Sequence, residues 1–136
     1  KEALTKLAQI AATNFGSRKL DRLISSAKSY TMRSVFWSSN AAYDGNGEIG
    51  KSRTIYYPSS VWRFSIDGGD PGSTYIAGHE INHAYNHDKG FRLTRRQNES
   101  SSVRFSNYLR SVYGEDDMRT NYFGLGLSFS DDVLKF

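Results

Sequence analysis

Three residues of this sequence have the types and the spacing of a metal site. His79, Glu80 and His83 match the pattern H-E-x-x-H. On a helix, His79 and His83 lie one turn apart on the same face, so their imidazoles can share one Zn²⁺. Glu80 is rotated by about 100° from His79 around the helix. We therefore expect Glu80 to take a proton from water that attacks a carbonyl group, and not to act as a ligand.

The metal has to be held without thiolates, because the sequence contains no Cys. This absence excludes a disulfide framework, a zinc ribbon and a thiol nucleophile. A purely structural zinc site is disfavoured as well, since such sites are usually rich in Cys.

A catalytic zinc site needs a third protein ligand, and three residues are candidates. His87 continues the i, i+4 row, but on an unbroken helix it lies about 9 Å beyond the midpoint of the His pair. Asp88 lies near the predicted end of the same helix. Glu99 falls in the first turn of the next predicted helix, which can return over the His pair. We favour Glu99, although the spacing alone leaves all three open.

The elements that must position these residues follow from apolar spacing and turn signals. Apolar residues recur at helical spacing in Lys1–Ala12 and in the segment 20–27, which predicts two helices. Aromatic and β-branched residues predict strands at 30–38, 53–57 and 62–66. The Asp-Gly-Asn-Gly sequence at 44–47 is a turn signal, so 53–57 is predicted to be the returning strand.

The H-E-x-x-H residues are predicted to lie on a helix. Ser73 or Thr74 can cap its start, it runs to about Asp88, and Gly90 suits its C-terminal cap. A further helix is predicted to begin at the cap residue Asn98.

That further helix is predicted to run to about Tyr113 and to end at Gly114, and the tail 121–136 is predicted to be irregular. Helices, a small sheet and then helices indicate an α+β domain. We expect a single domain over residues 1–136. A short antiparallel or mixed sheet should pack on the active-site helix and the helix that follows it.

Composition and charge set further limits. The 136 residues, 38% of them hydrophobic, can bury one core. The net charge is +4, and the densest basic stretch, 89–96, is predicted to be a solvated loop, with a phosphate-binding patch as the alternative. No apolar run approaches the ~18 residues of a membrane span. The chain begins with Lys and not Met, so we expect a fragment, such as the C-terminal domain of a longer secreted protein.

The segment Gly78–Tyr85 (G-H-E-I-N-H-A-Y) resembles the active-site helix of bacterial effector-type zincin peptidases. Such domains occur among type III effectors and at the C-termini of Rhs-type polymorphic toxins. Three further segments are similar in the same order. They are the preceding strand (53–58), a helix of the E-x-x-A-V…N…R type (99–110, with Ser102 where the family often has Ala) and a terminal R-x-x-Y element (119–122).

The resemblance implies a zincin-like fold, bound Zn²⁺ and Glu99 as the third ligand. It also singles out Arg119 and Tyr122, whose guanidinium or hydroxyl group could stabilise a developing oxyanion. The alternative for Tyr122 is a packing role, and for Arg119 it is an ion pair with an acidic residue of 115–117. The strand 53–57 could pair its edge with an extended substrate, or be a plain core strand.

We therefore expect a zinc-dependent endopeptidase that acts as a secreted effector or toxin, or is delivered into a target cell. Its partners would be a protein substrate and an immunity protein or inhibitor. We expect a monomer with no nucleic-acid or membrane partner. Two other classes stay open. One is a metal-dependent nuclease toxin, because His83, Asn86 and His87 loosely match an H-N-H arrangement in a basic chain. The other is a non-catalytic protein-binding domain.

Overall fold

The computed structural model describes residues 2–36, 41–44, 53–59, 71–115, 118–119, 121–122 and 127–128. The elements in chain order are α1 (Glu2–Ala11), α2 (Asn14–Ile24), β1 (Tyr30–Val35), β2 (Ala42–Asp44), β3 (Arg53–Pro58), α3 (Pro71–Asp88), α4 (Arg95–Val112), β4 (Asn121–Tyr122) and β5 (Leu127–Ser128). This composition confirms the predicted α+β class. None of the helices in these segments is long and apolar enough to cross a membrane.

The helix α2 begins earlier than the predicted segment 20–27. Thr13 caps it, because its hydroxyl oxygen accepts a hydrogen bond from the Gly16 N–H at 3.1 Å. A Cβ at Gly16 would collide with the carbonyl oxygen of Ile10, so only glycine allows α1 and α2 to meet this closely. The turn between α1 and α2 therefore depends on a cap and a close approach, neither of which apolar spacing reveals.

The three-stranded sheet has the order β1-β3-β2. The strand β3 runs antiparallel to β2 and parallel to β1, with Tyr43 opposite Ile55 in the first pair. The returning strand therefore pairs with β2, which was not predicted. Because both edges of β3 are occupied, the idea that 53–57 binds substrate by edge pairing is wrong. The predicted strand 62–66 and the turn residues 45–47 lie outside the described segments.

The central helix α3 is buried along most of its length. It begins at Pro71, so the prediction that Ser73 or Thr74 is the cap is wrong. Their hydroxyl groups instead donate hydrogen bonds to the Pro58 carbonyl oxygen and to Gln9, which fasten α3 to β3 and α1. Pro suits the first turn of a helix because its missing N–H would have no partner there. At the other end, Gly90 has a φ of 72°, which confirms it as the C-terminal cap residue.

The helix α4 begins three residues before the predicted cap Asn98. The cap is Thr94: its hydroxyl oxygen accepts from the Gln97 N–H, and the Gln97 side chain accepts from the Thr94 N–H. This reciprocal capping box satisfies two backbone donors, whereas a single Asn side chain would satisfy one. The predicted end is confirmed, because Gly114 has a φ of 79° just beyond the helix.

The helices α3 and α4 pack closely against each other. A Cβ added at Gly78 would collide with Leu109, which is fully buried, and would also touch Phe105. The missing side chain thus lets the two helices approach next to the H-E-x-x-H residues. The strands β4 and β5 form a separate antiparallel pair, so the tail is not irregular throughout.

Candidate metal centre

The two motif histidines face each other from successive turns of α3. His79 Nε2 lies 3.1 Å from His83 Nε2, and the rings meet edge to face with centroids 4.8 Å apart. Both residues are buried, at 4% and 8% exposure. The helical spacing therefore aims two imidazole nitrogens at one point that is largely shielded from solvent.

A carboxylate from the facing helix approaches the same point. Glu99 Oε2 lies 3.0 Å from His79 Nε2 and 3.4 Å from His83 Nε2. Two ligands of a tetrahedral zinc ion, each about 2.0–2.1 Å from it, are separated by about 3.3 Å. The three donor atoms are therefore spaced as the ligands of one such ion would be. Two His and one Glu are also among the ligand sets of catalytic zinc sites.

The two other candidates for the third ligand are directed elsewhere. The Nδ1 atom of His87 lies 2.8 Å from the Tyr43 hydroxyl, and its ring is exposed. The Asp88 carboxylate accepts hydrogen bonds from Arg22, Ser26 and Tyr30 at 2.5–2.6 Å. Neither side chain is among those that converge with His79 and His83.

Glu80 lies close to the histidines without sharing their contact. Its carboxylate and the ring nitrogens of His79 and His83 all lie within 4.8 Å of one another, so these three residues also form a group that could hold a metal. Glu99 is the better ligand, because its separations of 3.0 and 3.4 Å are those of atoms bound to one ion. Glu80 therefore fits the position of a base beside a metal.

The environment of Glu80 suits a group that exchanges protons near neutrality. Burial raises the pKa of Glu80 to about 7, although the backbone N–H of Tyr43 and the charges of His83 and Arg119 oppose the rise. The hydrogen bond from Tyr43 also ties the carboxylate to strand β2. A buried carboxyl group with such a pKa is a feature of general acid–base sites.

The three donor residues respond to one another electrostatically. Burial would raise the pKa of Glu99, but hydrogen bonds with His79 and His83 outweigh it and lower that pKa. Burial lowers the pKa of His79. It also acts to lower that of His83, but the hydrogen bond to Glu99 and the charges of Glu80 and Glu99 outweigh it and raise the pKa. The cluster thus retains an ionised carboxylate beside the two imidazoles.

A row of small polar residues on α4 supports the histidine side of the cluster. Ser102 Oγ lies 3.2 Å from His83 Nδ1, the nitrogen that faces away from the other donors. Asn82 donates hydrogen bonds to Ser101 and Ser102 at 2.9 and 3.1 Å. When His83 Nδ1 donates a hydrogen bond to Ser102, Nε2 keeps its lone pair for a metal. Residues behind a metal-binding His commonly fix its tautomer in this way.

Asn107 fixes the chain beyond α4. Its side-chain amide donates to the Arg119 carbonyl oxygen and accepts from the Arg119 N–H, both at 2.9 Å. Burial is the largest influence on two pKa values of the cluster: it lowers the pKa of His79 and raises that of Glu80. The charge of Arg119 acts to lower both pKa values, so its guanidinium lies within electrostatic range of the cluster. Tyr122 is in strand β4, and the direction of its side chain is outside the described part of the chain.

A cleft opens beside the cluster between β2 and the start of α4. It has a volume of about 250 Å³, and its lining residues are Ala41, Ala42, Tyr43, Glu80, His83, Asn98 and Glu99. A second cavity of about 290 Å³ shares Tyr43, His83 and Asn98 with it and extends to Phe91 and Leu93. Glu80, His83 and Glu99 therefore border a cleft that a molecule could enter.

The sequence alone assigns no role to several residues of this site. Tyr43 precedes a turn signal, and nothing local indicates that its N–H reaches Glu80. Ser102 and Asn107 lie on a helix with regular spacing, but their partners are distant in sequence. Comparisons with family models, curated proteins and solved structures found nothing that matches this chain.

Proposed function

We propose that this chain is a zinc-dependent endopeptidase. The observation that carries the proposal is the triangle formed by His79 Nε2, His83 Nε2 and Glu99 Oε2. Its sides of 3.1, 3.0 and 3.4 Å match the ligand separations of tetrahedral zinc. His79, His83 and Glu99 would hold the ion, and the cleft leaves its remaining side open to substrate. Bound Zn²⁺ would lower the pKa of water to about 7 and polarise the scissile carbonyl group.

Glu80 is the proton carrier of the proposed reaction. Its carboxylate can accept a proton from the attacking water and return it to the departing amine nitrogen, and burial, which acts to raise its pKa, favours the protonated form between the two transfers. The backbone of Tyr43, which acts to lower the pKa of Glu80, lies beside this carboxylate. Because Glu80 is buried, few solvent molecules compete for that proton.

Arg119 and Tyr122 are proposed to act on the carbonyl oxygen of the substrate. The oxygen gains negative charge as the water attacks, and a guanidinium or a phenol hydroxyl would stabilise it. Support for Arg119 comes from its electrostatic effect on Glu80 and from the Asn107 clamp. Support for Tyr122 comes from the R-x-x-Y resemblance alone.

The biological role is proposed from the resemblance to effector-type zincins. The chain would be secreted or delivered into a target cell and would cut a protein there. An immunity protein or inhibitor would protect the producing cell by covering the cleft. The open cleft between β2 and α4 is consistent with a polypeptide substrate.

The experiment compares zinc-loaded protein with its Glu80→Gln variant in extracts of target cells. New protein N-termini, identified by mass spectrometry, should appear with the parent protein only. The variant should keep its zinc and lose at least about 100-fold in rate, the lower range for removal of a general base. Cleavage by the variant at the parent rate would overturn the assignment of Glu80. Cutting of DNA or RNA without protein cleavage would favour the nuclease reading.

A further inference from the structure

A trough runs along α4 outside the cleft beside Glu80. Two adjoining cavities form it, and they share Ser101 and Arg104. One, of about 230 Å³, lies between α2, α3 and α4 and is also lined by Phe15, Lys19, Asn82, Phe105 and Tyr108. The other, of about 320 Å³, continues along α4 and is also lined by Arg96, Gln97 and Ser100. Of these residues, only Asn82 and Ser101 also belong to the polar row behind His83, and none is given a step in the proposed peptidase reaction.

The floor of the trough follows a helical stripe. Arg96, Ser100, Arg104 and Tyr108 are spaced four residues apart on α4, so they lie along one side of the helix. Twelve residues of α-helix rise about 18 Å. An extended peptide advances about 3.3 Å per residue, so five or six residues would span the stripe.

The charged residues that line the trough in the described part of the chain are basic. They are Lys19, Arg96 and Arg104, and no Asp or Glu is among the described lining residues of either cavity. Burial lowers the pKa of Lys19 to about 8, and its ammonium group lies 4.0 Å from the ring centroid of Tyr85. A carboxylate that entered the trough would be attracted by these basic side chains.

One end of the trough is aromatic. Phe15 meets Tyr108 edge to face at 4.9 Å, and Phe105 stacks with Tyr108 at 6.1 Å. The Lys19 ammonium group covers the face of Phe105 at 5.0 Å. Because Phe105 and Tyr108 stack on each other and Lys19 covers Phe105, the faces of these two rings are partly used, and the wall suits an apolar side chain better than a run of stacked bases. This arrangement favours a peptide over single-stranded nucleic acid.

We propose that this trough binds an extended acidic segment of a protein partner, with a large apolar side chain of that segment at the Phe15 and Tyr108 end. The segment would be five or six residues long. Because the two cavities of the trough share no described lining residue with the cleft beside Glu80, the partner would leave that cleft open. The proposal does not depend on peptidase activity, since binding is measured directly.

The test uses a fluorescein-labelled hexapeptide of four Glu, one Phe and one Gly, with fluorescence anisotropy at low salt. The full chain should bind it saturably, and binding should weaken as salt screens the charges. Arg96→Glu with Arg104→Glu should weaken binding at least about tenfold. Phe15→Ala should bind the Phe-containing peptide only as tightly as the parent chain binds a peptide with Ala in place of Phe. Circular dichroism and thermal melting of each variant establish that it is folded.

Matched controls distinguish the trough from general basicity. Arg33→Glu removes an exposed positive charge on β1, far along the chain from the trough, and should leave binding unchanged. A hexathymidylate labelled in the same way should bind more weakly than the peptide. Equal or tighter binding of the oligonucleotide would overturn the peptide assignment. Absence of saturable binding, or equal losses in Arg33→Glu and the double variant, would overturn the site itself.

Discussion

Two single substitutions, each of which removes one carboxylate, should distinguish a residue that holds the metal from a residue that stabilises α3. Glu99→Gln removes the charge that faces His79 and His83, and Asp88→Asn removes a charge on the same helix as the histidines. Both side chains are largely buried, at 13% and 2% exposure. The structure places only Glu99 with the histidines. We therefore expect opposite effects of the two variants on zinc affinity and on stability.

The size of each effect follows from the contacts. A change behind a ligand costs about 10–100-fold in metal affinity, so loss of a ligand should cost at least about 1000-fold, or about 4 kcal/mol. Asp88 accepts three hydrogen bonds, and a bond to a charged group contributes about 1.5–3 kcal/mol. Solvent screens Arg22, and Asn keeps one acceptor, so we expect a net loss of about 3 kcal/mol. For a chain of this size that lowers Tm by roughly 10 °C.

Zinc affinity is measured by competition with a fluorescent chelator, and Tm by calorimetry in the presence of a strong chelator. Asp88→Asn should keep zinc affinity within about tenfold of the parent, and His87→Ala should do the same. Glu99→Gln should lose zinc at concentrations where both controls retain it. If Asp88→Asn or His87→Ala empties the site and Glu99→Gln does not, Glu99 of α4 is not the third ligand beside the histidines of α3.

Three further outcomes are expected. Gly78→Ala should lower the unfolding free energy by about 1–3 kcal/mol in denaturant titrations, because its new methyl group meets Leu109; an increase, as helix propensity alone predicts, would contradict the close packing. Tyr122→Phe or Arg119→Ala should lower kcat more than it raises KM in steady-state assays of protein cleavage, and unchanged kinetics in both would end the oxyanion proposal. Burial would raise the pKa of Asp88, but hydrogen bonds from Ser26, Tyr30 and Arg22 outweigh burial and lower that pKa. The difference in unfolding free energy between the parent and Asp88→Asn should therefore be full above about pH 5 and shrink as the pH falls below about 3.9. A difference independent of pH down to about 2 would contradict this.

The helices and the motif could be predicted because their signals are local. The spacing of His79 and His83 and the glycine at position 90 each act within a few residues. The start of α4 was misplaced because Thr94 and Asn98 are both good caps, and the reciprocal bond with Gln97 decided between them. The residue type at one position does not show which of two possible cap residues also donates a hydrogen bond to a side chain of the helix in return.

The sheet and the support of the site depend on contacts that are distant along the chain. The strand β2 has three residues, too few to show a period of two, so the parallel pairing of β1 with β3 could not be predicted. The position of Tyr43 beside Glu80 depends on the pairing of β2 with β3. The clamp between Asn107 and Arg119 likewise appears only after the chain has turned back at Gly114.

The proposed ligands come from two helices joined by an exposed basic connection. In the unfolded chain Glu99 is separated from His83 by sixteen residues, so tight binding requires α3 and α4 to be docked. A ligand that binds only the folded form adds about 4 kcal/mol when present at 1000 times its Kd. An ion held this way would act as a removable cross-link across the hairpin. Chelation should then shorten the survival of the chain in trypsin, with cuts at the exposed Arg92, Arg95 and Arg96.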